Sequence, residues 1–185
     1  MKRLAMAILA VSVLAAGASA QSSKVGQRAR NQQRRVAQGV KSGQLTAGET
    51  AKVEKNEAAI NKEVRTDRAA NDGKLTAREK RQVNRQQNRE SKQIYSDKHN
   101  AAAQKSGDTE VGARRENQQD RIANGIASGK MSAGQTAKVE KAESGINQEV
   151  RSDRAANGGK LTPAEKAQVN SQLNQTSQQI YNDKH

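Results

Sequence analysis

Apolar side chains in this sequence are few, and they arrive at helical intervals. Val25, Ala29, Val36 and Val40 fall on one stripe of a helix, with Gln32 and Gln33 on or beside it. Gly39 and then Ser42-Gly43 are expected to close that helix, and Lys41 suits its negative end. Thr46-Ala47-Gly48-Glu49 reads as a capping box opening a second helix, whose narrow stripe is Val53, Ile60 and Val64, with Glu57, Asp67 and Asn71 close to it. Asn71-Asp72-Gly73 supplies residues that tolerate a left-handed backbone and ends that helix. Thr76 and Glu79 form the next box, and the third helix carries Val83, Gln87, Ile94 and Tyr95 inward or near-inward. No stretch of useful length alternates with a period of two.

The pattern then repeats. Val25–His99 aligns without a gap onto Val111–His185, with roughly two-thirds of positions identical. Ser132 with Gln135 and Thr162 with Glu165 supply the caps of the second copy, Pro163 takes a first helical position, and Leu173 replaces Gln87. Residues 100–110 lack an apolar period and read as a linker. The predicted fold is all-α, two tandem three-helix units of about 75 residues, a size at which little surface is buried.

Ahead of the repeats stands a charged start (Lys2, Arg3), an apolar run from Leu4 to Ala15 and the small residues Ala18-Ser19-Ala20. That order predicts a secretory signal peptide over 1–20, cleaved near Ala20, and hence export to a periplasm or beyond. The apolar run is too short for a membrane span, so no transmembrane segment is expected in the mature chain. The sequence has no Cys, which excludes a disulfide framework, and no Phe or Trp, which leaves a thin core.

Charge changes the picture most. The formal net charge is +14, and it is uneven: the first copy holds eighteen Lys and Arg against nine Asp and Glu, the second eleven against eight. On the third helix Arg78, Arg81, Arg85, Arg89 and Lys92 recur at three- and four-residue steps and share the face opposite Val83 and Ile94. Their counterparts are Ala164, Ala167, Ser171, Gln175 and Gln178, so the scaffold does not need the cations. The row reads either as a ridge for polyanions, with Arg forks engaging phosphates, or as a solvated face. Lipopolysaccharide, cell-wall polymers and extracellular nucleic acid are the partners such a ridge implies outside the cytoplasm. Base stacking is unsupported without Phe or Trp.

Other chemistry is sparse. Gly-x-Leu-Thr-x-x-Glu, at Gly43 and Gly73 and with variation at Gly129 and Gly159, resembles the second half of an EF-hand loop. The first half fails, since the leading ligand positions of the Asp72 turn fall on Arg68 and Ala70. Capping accounts for the same residues, with a weak calcium-binding protein as an alternative. The ends Asp97-Lys98-His99 and Asp183-Lys184-His185 hold both histidines, too few ligands per copy to specify a metal. Asp67 and Asp153, each flanked by arginines, read as ion-paired. No nucleophile–base set or phosphate loop is present, so no enzyme, cofactor or metal is expected.

The Gln-rich helices, the Gly-x-Leu-Thr-x-x-Glu turns and the Ile-Tyr-x-Asp-Lys-His ends resemble those of uncharacterised exported bacterial tandem-repeat proteins, a likeness that implies export and a helical fold but no activity. The very polar composition is also similar to that of hydrophilins. The sequence therefore predicts a non-enzymatic exported protein that binds anionic polymers or surfaces through its first copy, with a hydrophilin-like stress protectant as the alternative.

Overall fold

A computed structural model describes residues 24–104 and 109–185. The predicted signal peptide and four residues of the predicted linker lie outside these. The described chain is all-helical: α1 (Lys24–Lys41), α2 (Ala47–Ala70), α3 (Ala77–Lys98), α4 (Glu110–Ser128), α5 (Ala133–Ala156) and α6 (Pro163–Lys184).

Local chemistry sets most of these limits. Thr46, Thr76, Ser132 and Thr162 each stand at an N-cap in extended backbone and accept a bond from the amide three residues on. Glu49, Glu79, Gln135 and Glu165 in turn accept a bond from the cap amide at 2.8 to 2.9 Å. A fifth cap, Thr109, accepts from the Gly112 amide at 3.1 Å and starts α4 inside the stretch read as linker. Gly43 and Gly129 turn the chain after α1 and α4 with φ of 69° and 70°.

Gly39 does not close α1, as its residue type suggests; the helix runs on to Lys41. A Cβ at Gly39 would lie 2.7 Å from the side chain of Leu45, so glycine here lets the turn after the helix fold back against it. Gly125 does the same for Met131.

The most extensive helix pairing joins the two copies, α2 against α5. A Cβ at Gly48 would touch Ser144 Oγ at 3.1 Å, and one at Gly134 would touch Ala58 at 4.0 Å. These reciprocal contacts require the two helices to run antiparallel. Val53 and Val139 then sit at the crossing on a pseudo-two-fold axis, both buried. α1 packs on α4, α3 on α1 and α2, and α6 on α4 and α5.

The main apolar cluster draws on both copies, with Val36, Val40, Leu45, Val53 and Ile94 from the first and Ile122, Ile126, Met131, Val139 and Ile180 from the second. Smaller clusters lie at the two ends, one around Val25, Ile60, Val64, Leu75 and Val83, the other around Val111, Ile146, Val150, Val169 and Leu173. The central core is thus common property of the copies. Tyr95, read as near-inward, is 60% exposed: it stands one residue beyond Ile94, which takes the inward position, and stacks on His99 instead.

Candidate functional site

Arg78, Arg81, Arg85, Arg89 and Lys92 are all exposed on α3, which is held to the core by Val83, Gln87 and Ile94 on its other side. None of the five makes a hydrogen bond or ion pair among the described residues. Their counterparts on α6 are exposed as well, and uncharged. The helix that carries the ridge is therefore the same element in both copies, with five positive charges added to one of them.

A second basic feature lies where the start of α1 meets the α2–α3 turn. A cleft of about 450 Å³ opens there, floored by the buried Val25 and Leu75 and lined by Lys24, Arg68, Lys74 and Lys80. In the second copy the residue at the Lys24 position is Glu110, and its carboxylate pairs with Lys166, the counterpart of Lys80, at 2.6 Å. The ammonium beside Glu110 holds that carboxyl below its usual range. The first copy thus sets a cation where the second sets an anion.

The capping carboxylates are engaged locally. Glu79 also accepts from Asn71 Nδ2 at 3.1 Å, and Glu165 from Asn157 at 2.8 Å. The Thr76 and Thr162 backbone amides draw these two carboxyls below the ordinary range. At the helix ends, His99 and His185 turn back onto their own helices, each ring nitrogen meeting the Tyr95 or Tyr181 carbonyl oxygen at 2.7 or 2.9 Å. Asp97 accepts from Gln93 and Asp183 from Gln135. Asp67 and Asp153 are not in the arginine-paired surroundings read from sequence; partial desolvation and the neighbouring Glu79 and Glu63, or Glu165 and Glu149, push both carboxyls up. Among the described residues no three or more Asp, Glu or His side chains are arranged to hold a metal ion.

One constellation escaped the sequence reading except for Glu57, which the spacing places close to the α2 stripe. Thr50, Glu54 and Glu57 on α2, and Thr136, Glu140 and Glu143 on α5, are buried at the junction of the copies. Gln33 Nε2 donates to both carboxylate oxygens of Glu54, at 3.1 and 3.2 Å, and Gln119 donates to Glu140 at 3.1 Å. Burial pushes the Glu54 carboxyl up to about 8, with the Gln33 bond opposing and the Glu57 charge adding. Glu140 is raised well above its usual range for the same reason.

The copies then treat their third glutamate differently. Glu57 lies beside Glu90, and desolvation raises both carboxyls; Glu57 adds to the rise at Glu90, which reaches about 9, whereas Glu90 and Asn61 oppose the rise at Glu57. In the second copy Thr176 replaces Glu90, and Arg115 approaches Glu143, whose carboxyl burial still lifts to about 7. The signal for this cluster was spacing. Thr50, Val53, Glu57, Ile60 and Val64 follow strict three–four steps, so Glu57 occupies a seam position despite its charge.

Comparison with family models, with curated proteins and with solved structures finds no match to this chain. The functional reading rests on the geometry alone.

Proposed function

We propose that this is a non-enzymatic exported protein that binds anionic polymers or surfaces, such as lipopolysaccharide, cell-wall polymers or extracellular nucleic acid, through the basic face of its first copy. The observation that carries the reading is the difference between twins. Five exposed, unpaired cations stand on α3 where α6 has Ala, Ser and Gln on the same scaffold. A row of like charges at helical spacing costs self-repulsion and contributes nothing to packing, and guanidinium forks match phosphate and sulfate geometry. No described helix is long and apolar enough to cross a membrane, so a surface would be engaged from outside by charge.

The test is a five-fold exchange of Arg78, Arg81, Arg85, Arg89 and Lys92 for their α6 counterparts. Retention on heparin, duplex DNA and lipopolysaccharide should fall and its salt slope should flatten, because fewer counterions are released. Helicity should persist. Unchanged retention on all three at low salt would make the ridge a solvated face and favour the protectant reading.

A further inference from the structure

The two copies differ in a further place, a groove between the turn that follows the first helix of one copy and the middle helix of the other. In one of the two symmetry-related grooves, the non-helical segment after α3 is strapped in place. The Gln104 amide donates to the Gly43 carbonyl oxygen at 2.9 Å. Its Oε1 accepts from the Ala47 amide at 3.1 Å and from Asn147 Nδ2 at 3.4 Å. Ahead of it, Asn100 Nδ2 donates to Glu49 Oε1 at 2.6 Å. Gln104 thereby satisfies the first amide of α2, which has no partner within its own helix.

The pseudo-two-fold carries Gly43, Ala47 and Asn147 onto Gly129, Ala133 and Asn61. There the same three groups line an open cavity of about 450 Å³, with Asn61 Nδ2 turned to Glu57 Oε1 at 3.5 Å and its second hydrogen left to donate. A Cβ on Gly43 would meet the Gln104 oxygen at 3.1 Å, whereas one on Gly129 meets nothing within 4 Å. The Ala133 amide, first in α5, takes no partner among the described residues. The rims are opposite in charge. Arg30 and Arg34 line the open groove, at the positions that Glu116 and Asp120 hold in the other copy, and Gln104 is followed in sequence by Lys105.

We infer that the groove around Gly129, Ala133 and Asn61 is a binding site for a non-helical peptide segment from another protein, one that presents a glutamine followed by an acidic residue. The glutamine follows from identity of the hydrogen-bonding groups with those holding Gln104, since a site built to bond an amide side chain leaves its donor unpaired with an apolar one. The acidic residue follows from the two arginines on the rim, which would repel a lysine at that place in the peptide. The site uses neither the α3 ridge nor the Lys24 cleft, so it stands apart from the polyanion reading.

Three blocked hexapeptides, Asn-Ala-Ala-Ala-Gln-Glu, the same with Gln-Lys at its end and the same with Leu-Glu, should be titrated into the isotope-labelled full chain while amide resonances are followed. The Gln-Glu peptide should shift Gly129, Ala133 and Asn61 saturably and leave Gly43, Ala47 and Asn147 in place. The Leu-Glu peptide should bind about tenfold more weakly, and the Gln-Lys peptide more weakly by a margin that shrinks with salt. Equal binding of the Leu-Glu peptide, or no response at Gly129 and Ala133, overturns the site; equal binding of the Gln-Lys peptide overturns the acidic preference. Ala133→Pro removes the donor amide and sets a ring carbon in its place, at a first helical position of the kind Pro163 already occupies in α6. It should lower affinity for the Gln-Glu peptide about tenfold with helicity intact, and unchanged affinity would overturn the proposal. Should that variant fail to fold, Asn61→Ala reads the second contact by the same criterion.

Discussion

Gln87 donates its side-chain amide to the Val25 carbonyl oxygen at 3.0 Å, in the place where the second copy buries Leu173. Both residues are fully buried, and Gln87 Oε1 has no partner. A further bond survives either side chain, because it runs to the backbone: Gln32 reaches the Gln87 carbonyl oxygen at 2.8 Å, and Gln118 reaches that of Leu173 at 2.6 Å. Gln87→Leu therefore removes an orphan acceptor and one modest bond while adding apolar burial. It should stabilise the chain by about 1 kcal/mol, and Leu173→Gln should destabilise it by about 2 kcal/mol or more. Urea midpoints decide this. A Gln87→Leu variant weaker than wild type would mean that the Val25 bond outweighs the buried isobutyl group.

The two helix glycines set propensity against sterics. Alanine in a helix interior is better than glycine by about 1 kcal/mol, yet a Cβ at position 39 would lie 2.7 Å from the fully buried Leu45. Leu45 is branched and enclosed, so Gly39→Ala should cost about 1–3 kcal/mol net. Met131, 2.6 Å from a Cβ at Gly125, is unbranched and can turn aside, so Gly125→Ala should cost less. Thermal melts of the two variants test the order, and a more stable Gly39→Ala protein would refute the packing account.

The pH response should run downhill from mildly acid to alkaline solution. Glu54, Glu90, Glu140 and Glu143 all bind protons more tightly folded than unfolded. Below their ordinary value near 4.5 both states are protonated and the stability they contribute is intact. As pH rises beyond it, only the unfolded chain ionises, so stability falls until the folded groups titrate at about 7 for Glu143, 8 for Glu54 and 9 for Glu90. The melting temperature should be highest near pH 5 and drop through pH 9. Glu54→Gln with Glu140→Gln should change little at pH 5 and raise the melting temperature by several degrees at pH 8.5. A flat profile between pH 5 and 9 would show that these carboxyls are hydrated.

What could be read from the sequence was the local part. Thr46, Thr76, Ser132 and Thr162 announce helix starts because a cap and its partner lie three residues apart, and the valine stripes follow from helical periodicity. The exposure of Arg78 to Lys92 follows from the angle they make with Val83 and Ile94. Spacing sets Glu57 beside the α2 stripe, but the burial of Glu54 and Glu140 could not be read this way. A charge is assigned to solvent by default, and Glu54 and Glu140 leave solvent only because α2 crosses α5 of the other copy. Gly39 failed for the related reason that its neighbour, Leu45, arrives through a turn. Asp67 and Asp153 read as paired from their sequence neighbours alone, while desolvation, and after it one carboxylate from the next helix and one from their own, sets their surroundings.

The Lys24 cleft separates stability from binding in one substitution. Lys24→Glu copies the second copy's arrangement, in which Glu110 meets Lys166 at 2.6 Å. An acid in the first turn of α1 suits the helix dipole, and an exposed ion pair with Lys80 adds little, so the variant should be as stable as wild type or better by a few tenths of a kcal/mol. For a polyanion the effect is opposite, because one cation is lost and a second is neutralised. On duplex DNA the slope of log affinity against log salt should become shallower by about 1 to 2, if both lysines meet phosphates. Glu110→Lys frees Lys166 and adds a cation to the second copy, so it should strengthen retention and steepen the slope by a similar amount. If both variants leave the slope where it is, anionic polymers do not reach the cleft, and binding is confined to the α3 ridge that the five-fold exchange addresses.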